Sequence, residues 1–235
     1  MRSSALVLLL LACGGARSTK EGTDGTDGTD GTDGTDGTDG TDGTDGTDGT
    51  DGGGDSGEPA CTPISAVFFD LGDTLVAADS TGLYAPLPGA VELTDALVAR
   101  GLPIGVITNV PPDWTRATLA EKMTDPGFLD RFEVVLLSSE ASADKPDPII
   151  FTEAVARLSA PPPIEQTAFV TEELGHLADA DPPTVGARAA GMFGVHLSDR
   201  EPNARADVTM SPDALEGIST AAWLDCQEAA EADGG

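Results

Sequence analysis

The feature that most constrains the fold of this 235-residue chain is an alternation of apolar runs and helix patterns after residue 60. Short apolar runs bounded by turn residues are typical of strands that are buried on both faces of a parallel sheet. Strands that alternate with helices predict an α/β domain with helices on both faces of that sheet. The expected fold is a Rossmann-like three-layer sandwich with a mainly parallel sheet of five or six strands. The predicted strands are Ala66–Leu71, Ile104–Thr108, Val134–Leu137, Ala168–Val170 and Gly194–Leu197.

Three segments between these runs have the features of helices. An apolar face from Ala90 to Leu97 predicts the first. Asp147 followed by Pro148 combines an N-cap residue with proline at the first helical position, and predicts the start of another. Gly186–Met192 predicts a short helix that leads into the last strand. Because ligand sites of parallel sheets form at the carboxyl ends of the strands, the residues that follow each strand are the candidate functional residues.

A repeat separates this domain from the start of the chain. The triplet Gly-Thr-Asp occurs ten times between Gly22 and Asp51 and contains no apolar residue. Such a segment has no apolar side chains whose burial could offset the entropy lost on folding. We therefore interpret residues 13–60 as a flexible acidic tether. Calcium binding by the spaced aspartates is the alternative, but ordered calcium loops need a scaffold and more varied ligands. The folded domain is predicted over residues 61–235.

The first residues have the layout of an export signal. Arg2 precedes an apolar run that is too short to span a bilayer, and Leu-Ala-Cys-Gly follows it. The segment 1–12 resembles a bacterial lipoprotein signal peptide, which implies that Cys13 is lipidated and anchors the protein to the cell envelope, at an outer membrane or the cell surface. Ordinary signal cleavage, with Cys13 incidental, is the alternative.

Two further cysteines flank the predicted domain. Cys61 precedes the first strand and Cys226 lies near the C-terminus. In an exported protein two such cysteines are more often paired than free, so we predict a disulfide between them, with two unpaired thiols as the alternative.

The charge of the domain limits its partners. Residues 60–235 hold 28 acidic and 9 basic residues, a net charge of −19. This charge argues against nucleic acid and against an anionic membrane surface, so contact with a membrane is expected only through the lipid anchor. An anionic substrate would need local positive charge, most simply from a metal ion.

Polar residues stand at or after the carboxyl ends of four of the predicted strands. They are Asp70, Thr108 with Asn109, Lys145, and Glu172 with Glu173. In their types and order, and in the intervening segments PGAVELTDAL, KPDPIIF and GARAAGM, the chain resembles the haloacid dehalogenase superfamily, whose members are mostly phosphatases. The resemblance extends over residues 64–215.

The resemblance implies a role for each of these residues. Asp70 would be the nucleophile and a ligand of Mg²⁺. The positive charge of the ion would offset the repulsion between the carboxylate and the phosphate that it attacks. Further metal ligands would be the Gly72 carbonyl and one of Glu172 and Glu173. Thr108 would hydrogen-bond a phosphoryl oxygen and Lys145 would offset its charge, while Asn109 is a candidate substrate-binding residue. In isolation, Asp70 also fits a plain strand-ending residue and Lys145 a surface charge.

The first motif departs from the family pattern. The family has Asp-x-Asp-Gly-Thr, in which the second aspartate is the general acid and base, whereas here Gly72 stands at that position and Asp73 follows it. Asp73 either still reaches the leaving group or caps the following turn. The acidic pair is also glutamate rather than aspartate, which puts metal affinity in doubt. Of the two histidines, His176 is expected in a loop and His196 in the core.

The spacing leaves no room for the cap domain that many members of this family carry. Asp70 and Thr108 are 38 residues apart, and Thr108 and Lys145 are 37 apart, which one helix and one strand use up. Val76–Leu87 is the local candidate for a flap. The sequence therefore predicts a capless, Mg²⁺-dependent phosphate monoester hydrolase acting on a phosphorylated small molecule or a phosphoprotein. The alternative is a catalytically degenerate domain that binds a ligand or partner at the cell surface.

Overall fold

The computed structural model describes residues 62–227. The signal segment, the repeat, Cys13 and Cys61 lie outside these residues, so the predictions that concern them stay predictions. Cys226 is disulfide-bonded. The Thr62 carbonyl accepts a hydrogen bond from the Gln227 N–H at 3.3 Å, which places the neighbours of both predicted disulfide partners side by side.

Six parallel strands form the central sheet, in the order β5-β4-β1-β6-β7-β8. This confirms the predicted α/β fold with a mainly parallel sheet. Chain order reverses between β1 and β6, because β4 pairs with one side of β1 and β6 with the other. Such a reversal opens a crevice at the carboxyl ends of the two strands. The strands are β1 Ala66–Phe69, β4 Ile104–Thr108, β5 Val134–Leu137, β6 Thr167–Thr171, β7 Phe193–Leu197 and β8 Val208–Met210.

The helices cover both faces of the sheet. Alternate residues of β1 point to opposite sides, with Val67 and Phe69 in one apolar cluster and Ala66 and Phe68 in the other. α1 and the C-terminal segment pack on the first side, and α3 packs on the second. The helices are α1 Ala90–Ala99, α2 Arg116–Glu121, α3 Pro148–Ala156, α4 Leu174–Leu177 and α5 Ala222–Asp225, with 3₁₀ turns at Pro126–Arg131, Ser138–Glu140, Ile164–Gln166 and Pro212–Thr220.

The predicted flap is an antiparallel hairpin. Its strands are β2 Val76–Ala78 and β3 Tyr84–Pro86, and it follows the Asp70 turn directly. No cap domain is evident between β1 and β5 in the described residues, which hold this hairpin, α1, β4, α2 and one 3₁₀ turn there. None of the helices within residues 62–227 is long and apolar enough to cross a membrane.

One predicted helix is wrong. Gly186–Met192 forms a turn, in which Gly186 and Gly191 have φ angles of 91° and 100°. These left-handed conformations are incompatible with a right-handed helix. The apolar pattern alone favoured a helix here, but the two glycines place turns at both ends of the segment. Gly186 also packs against the Leu177 carbonyl of α4, where a side chain would clash.

Gly105 allows strand β4 to lie close against the aromatic ring of Phe68 in β1. A Cβ at this position would lie 2.5 Å from two atoms of the Phe68 ring, which is fully buried. We expect Gly105→Ala to lower the free energy of unfolding by about 1–3 kcal/mol, measured by urea denaturation, because the ring has no space into which to move. Gly217→Ala is the matched control, since the nearest atom to its Cβ would be 3.9 Å away. Equal effects of the two substitutions would contradict this account.

Candidate active site

Asp70 lies at the centre of the site, directly after the central strand β1. Its side chain is 8% exposed, and its main-chain N–H donates to the Val170 carbonyl of β6 at 2.9 Å. Its Oδ1 accepts the Leu71 N–H at 2.7 Å. The turn thus aims the carboxylate along the crevice between β1 and β6.

Two nitrogen atoms contact the Asp70 carboxylate, one on each oxygen. Lys145 Nζ lies 2.6 Å from Oδ1 and is almost wholly buried. His176 Nδ1, in α4, lies 3.0 Å from Oδ2. Lys145 is therefore not a surface charge, and His176 is part of the site rather than a plain loop residue.

The electrostatics keep the Asp70 carboxylate ionised. Burial alone would raise the pKa of Asp70, but the polar contact with His176 and the charge of Lys145 outweigh it, so this pKa is lowered. Burial lowers the pKa of Lys145, against the attraction of Asp70. The carboxylate is favoured in its charged form because two side-chain nitrogens and a main-chain N–H all contact its oxygens.

Thr108 and Asn109 end β4 beside the ion pair. The Thr108 residue is 6% exposed, and its hydroxyl makes no hydrogen bond within residues 62–227, so it has capacity for a substrate oxygen. Asn109 uses both ends of its amide on Lys145, donating to the main-chain carbonyl and accepting the main-chain N–H, each at 2.9 Å. These bonds position Lys145; the substrate-binding role predicted for Asn109 stays a prediction.

The two glutamates after β6 have different surroundings. The Thr74 hydroxyl donates to Glu172 Oε2 at 2.5 Å, and the Glu172 N–H donates back to the same hydroxyl at 3.2 Å. Glu173 instead caps α4, because its Oε1 accepts the Gly175 N–H at 3.4 Å. Glu172 is thereby tied to the Asp70 turn, whereas Glu173 supports the helix that carries His176.

The donors around Asp70 include oxygen atoms of the type that Mg²⁺ prefers. The Thr171 hydroxyl lies 3.5 Å from Asp70 Oδ2 and 3.4 Å from Glu172 Oε2, so these two carboxylates flank the same hydroxyl. His176 on Oδ2 would compete with a cation there. No group of three or more His, Cys, Asp or Glu side chains in residues 62–227 is arranged to hold a metal, and the predicted set needs a main-chain carbonyl, that of Gly72, besides its carboxylates.

Asp73 lies on the outside of the turn. It is exposed, has a left-handed φ of 53°, and its main-chain N–H donates to the Val76 carbonyl at 2.8 Å. Its carboxylate makes no hydrogen bond within the described part of the chain. This counts against the capping alternative and leaves the carboxylate available for proton transfer.

Sequence reasoning missed the contacts of Thr74, Thr171 and His176. His176 gave no spacing signal, because α4 begins at Leu174 and the histidine contacts Asp70, a residue far away in the sequence. The two threonines gave no signal, since threonine is common at strand ends and in turns.

The family model for haloacid dehalogenase-like hydrolases matches residues 80–171. This range includes Thr108 and Lys145 but begins after Asp70. The chain is 32% identical over 139 residues to the validoxylamine A 7'-phosphate phosphatase of Streptomyces hygroscopicus subsp. limoneus, which covers 54% of this chain and 59% of that protein. It is 32% identical over 112 residues to the phosphoserine phosphatase of Thermus thermophilus, covering 48% and 39%. The chain therefore spans less than two thirds of the length of either relative.

Solved structures share the fold at low sequence identity. A HAD phosphatase from Thermococcus onnurineus superposes with a TM-score of 0.50 at 17% identity, over 66% of this chain and 97% of the other. An L-2-haloacid dehalogenase superposes with a TM-score of 0.53 at 15% identity, over 68% and 100%. The chain is thus similar in sequence to haloacid dehalogenase-like hydrolases over residues 80–171 and to two proteins that are named phosphatases, and it shares its fold with the two solved structures.

Proposed function

We propose that this protein hydrolyses a phosphate monoester through a covalent intermediate on Asp70. The observation that carries the proposal is the buried, ionised Asp70 carboxylate at the crevice of the sheet, with Lys145 Nζ 2.6 Å from Oδ1. A carboxylate in this state is a nucleophile without prior loss of a proton. The phosphatase names of the relatives support the same reaction class.

In the first step a carboxylate oxygen of Asp70 attacks phosphorus, and the bond from phosphorus to the alcohol oxygen breaks. The departing alkoxide takes a proton, for which Asp73 is the candidate donor. Lys145 offsets charge on the phosphoryl oxygens, and the Thr108 hydroxyl donates to one of them. Water then attacks the phosphorus of the acyl phosphate and gives a proton to Asp73, the candidate base, while the bond from phosphorus to the Asp70 oxygen breaks, which releases phosphate and restores the Asp70 carboxylate.

Asp70, Glu172 and the Gly72 carbonyl are the residues that would hold Mg²⁺. When bound, the ion would supply positive charge against the repulsion between carboxylate and phosphate. In a domain with a net charge of −19, the lysine alone offers little such compensation.

The test is hydrolysis of p-nitrophenyl phosphate by the full chain, with Mg²⁺ and with a chelator. We expect turnover that requires Mg²⁺. Beryllofluoride should bind to the Asp70 carboxylate as a mimic of the acyl phosphate and inhibit this turnover. Added Mg²⁺ should also raise the melting temperature, since a ligand at 100 times its dissociation constant stabilises by about 2.7 kcal/mol. Turnover that is insensitive to the chelator would overturn the metal role alone.

One observation favours the second candidate function, a domain that binds a ligand without catalysis. Both oxygens of Asp70 already have nitrogen partners, Lys145 and His176, and the acid of the first motif is displaced to Asp73. If the protein neither turns over aryl and alkyl phosphates nor forms the beryllofluoride adduct, this second function replaces the first.

A further inference from the structure

A polar cavity of about 530 Å³ lies beyond the carboxyl ends of β6 and β7. Glu172 and Glu173 line one side of it, and the loop between β7 and β8 lines the other. This loop contributes Ser198, Arg200, Glu201, Asn203 and Arg205. None of these five loop residues has a role in the chemistry proposed above.

The two arginines of this cavity differ from the others in their pairing. Residues 62–227 contain seven arginines, of which five form ion pairs with carboxylates. Within the same residues, the guanidinium groups of Arg200 and Arg205 make neither an ion pair nor a hydrogen bond. Lys122, at the end of α2, is the remaining cation without an ion pair there. The lining of the cavity thus combines two guanidiniums that form no ion pair with three carboxylates, those of Glu172, Glu173 and Glu201.

The acidic neighbours of the cavity are already engaged or lie in solvent. Glu172 accepts a hydrogen bond from Thr74, and Glu173 caps α4. Asp199 accepts from the Ser211 hydroxyl at 2.7 Å. Glu201 is exposed on the loop. Two of the three carboxylates that line the cavity thus have other partners, and none of the three forms an ion pair with the arginines, so an incoming anion can take the guanidinium donors.

The cavity adjoins the nucleophile's side of the site. A neighbouring cavity is lined by the same two glutamates and by His176, whose Nδ1 is 3.0 Å from Asp70 Oδ2. His196 lines the larger cavity, and its Nε2 lies 3.1 Å from the Glu172 carbonyl oxygen. Because the two cavities share these glutamates, the space beside His176 lies next to the space beside the arginines.

We propose that Arg200 and Arg205 form a subsite for a second anionic group of the substrate, a phosphate or a carboxylate remote from the phosphate that is hydrolysed. The proposal rests on the proposed function and narrows its substrate to phosphate monoesters that carry another anion. Guanidinium groups suit this task, because their planar donors pair with both phosphate and carboxylate oxygens.

The test compares α,ω-alkanediol bisphosphates of increasing length with the matched monophosphates, as ligands of full-length Asp70→Asn by calorimetry. We expect at least one bisphosphate to bind about 10- to 100-fold more tightly than its monophosphate, because charge-assisted hydrogen bonds are gained. Arg200→Gln with Arg205→Gln should abolish this preference. Arg116→Gln with Arg157→Gln, which removes two exposed arginines paired with Asp130 and Glu153, is the charge-matched control and should keep it.

Equal binding of bisphosphates and monophosphates at every length would overturn the subsite, as would a preference that survives the double arginine substitution. In the active protein, the double substitution should raise KM for the preferred bisphosphate and leave kcat/KM for p-nitrophenyl phosphate within about twofold. A preference in binding without any turnover would retain the subsite and overturn the hydrolase. Absence of binding by any of these phosphates would overturn both.

Discussion

Asp70→Asn is expected to lower the turnover of p-nitrophenyl phosphate at least about 1,000-fold, because the amide has no lone pair basic enough to attack phosphorus. The substitution keeps the size and the acceptor oxygen that receives the Leu71 N–H at 2.7 Å. A loss of turnover can thus be attributed to chemistry once circular dichroism shows an unchanged fold. Residual activity above about a tenth of the wild type would exclude Asp70 as the nucleophile.

Asp73→Asn is the matched variant, three residues along the same turn. Asparagine tolerates the left-handed φ of 53° as well as aspartate does, so the turn should persist. If Asp73 protonates the leaving group, turnover of an alkyl phosphate should fall about 100-fold or more, and turnover of p-nitrophenyl phosphate should fall less, because an acidic phenol leaves without a proton. Equal, small effects on both substrates would remove Asp73 from the mechanism.

The sheet could be predicted from sequence because a parallel strand that is buried on both faces consists of one continuous run of apolar residues. All five predicted runs overlap observed strands, and Ile104–Thr108 and Val134–Leu137 match to the residue. The strands that sequence missed, β2, β3 and β8, have three residues each and are only partly buried, so they give no periodic signal.

Predicting the site succeeded where a residue follows a strong strand and failed where contacts depend on a short turn. Asp70 and Thr108 follow runs that fix their place at the edge of the sheet. His176 reaches Asp70 because a four-residue helix, held by the Glu173 cap and packed on Gly186, turns it inward. Such a helix is too short to be predicted by apolar periodicity, and a lone histidine gives no indication of its partner.

Lys145→Met is expected to lower the free energy of unfolding at pH 7 by about 3 kcal/mol, the size found when one member of a buried ion pair is removed. Methionine keeps the length and apolar stem of the side chain, so the loss concerns the ammonium group that lies 2.6 Å from Asp70 Oδ1. Lys122→Met, at an exposed lysine without an ion pair in residues 62–227, should change stability by less than about 0.5 kcal/mol.

The pH dependence and a second substitution separate lost charge from lost packing. The folded-state pKa of Asp70 lies below 3.8, so the stabilisation by its charged partners is present above about pH 4 and is lost as the pH falls through that folded pKa. The deficit of Lys145→Met in urea denaturation should therefore shrink in acid. Adding Asp70→Asn to Lys145→Met should restore part of the stability, because no uncompensated carboxylate then stays buried. A deficit that is independent of pH and additive with Asp70→Asn would assign the effect to packing and remove the ion pair as its cause.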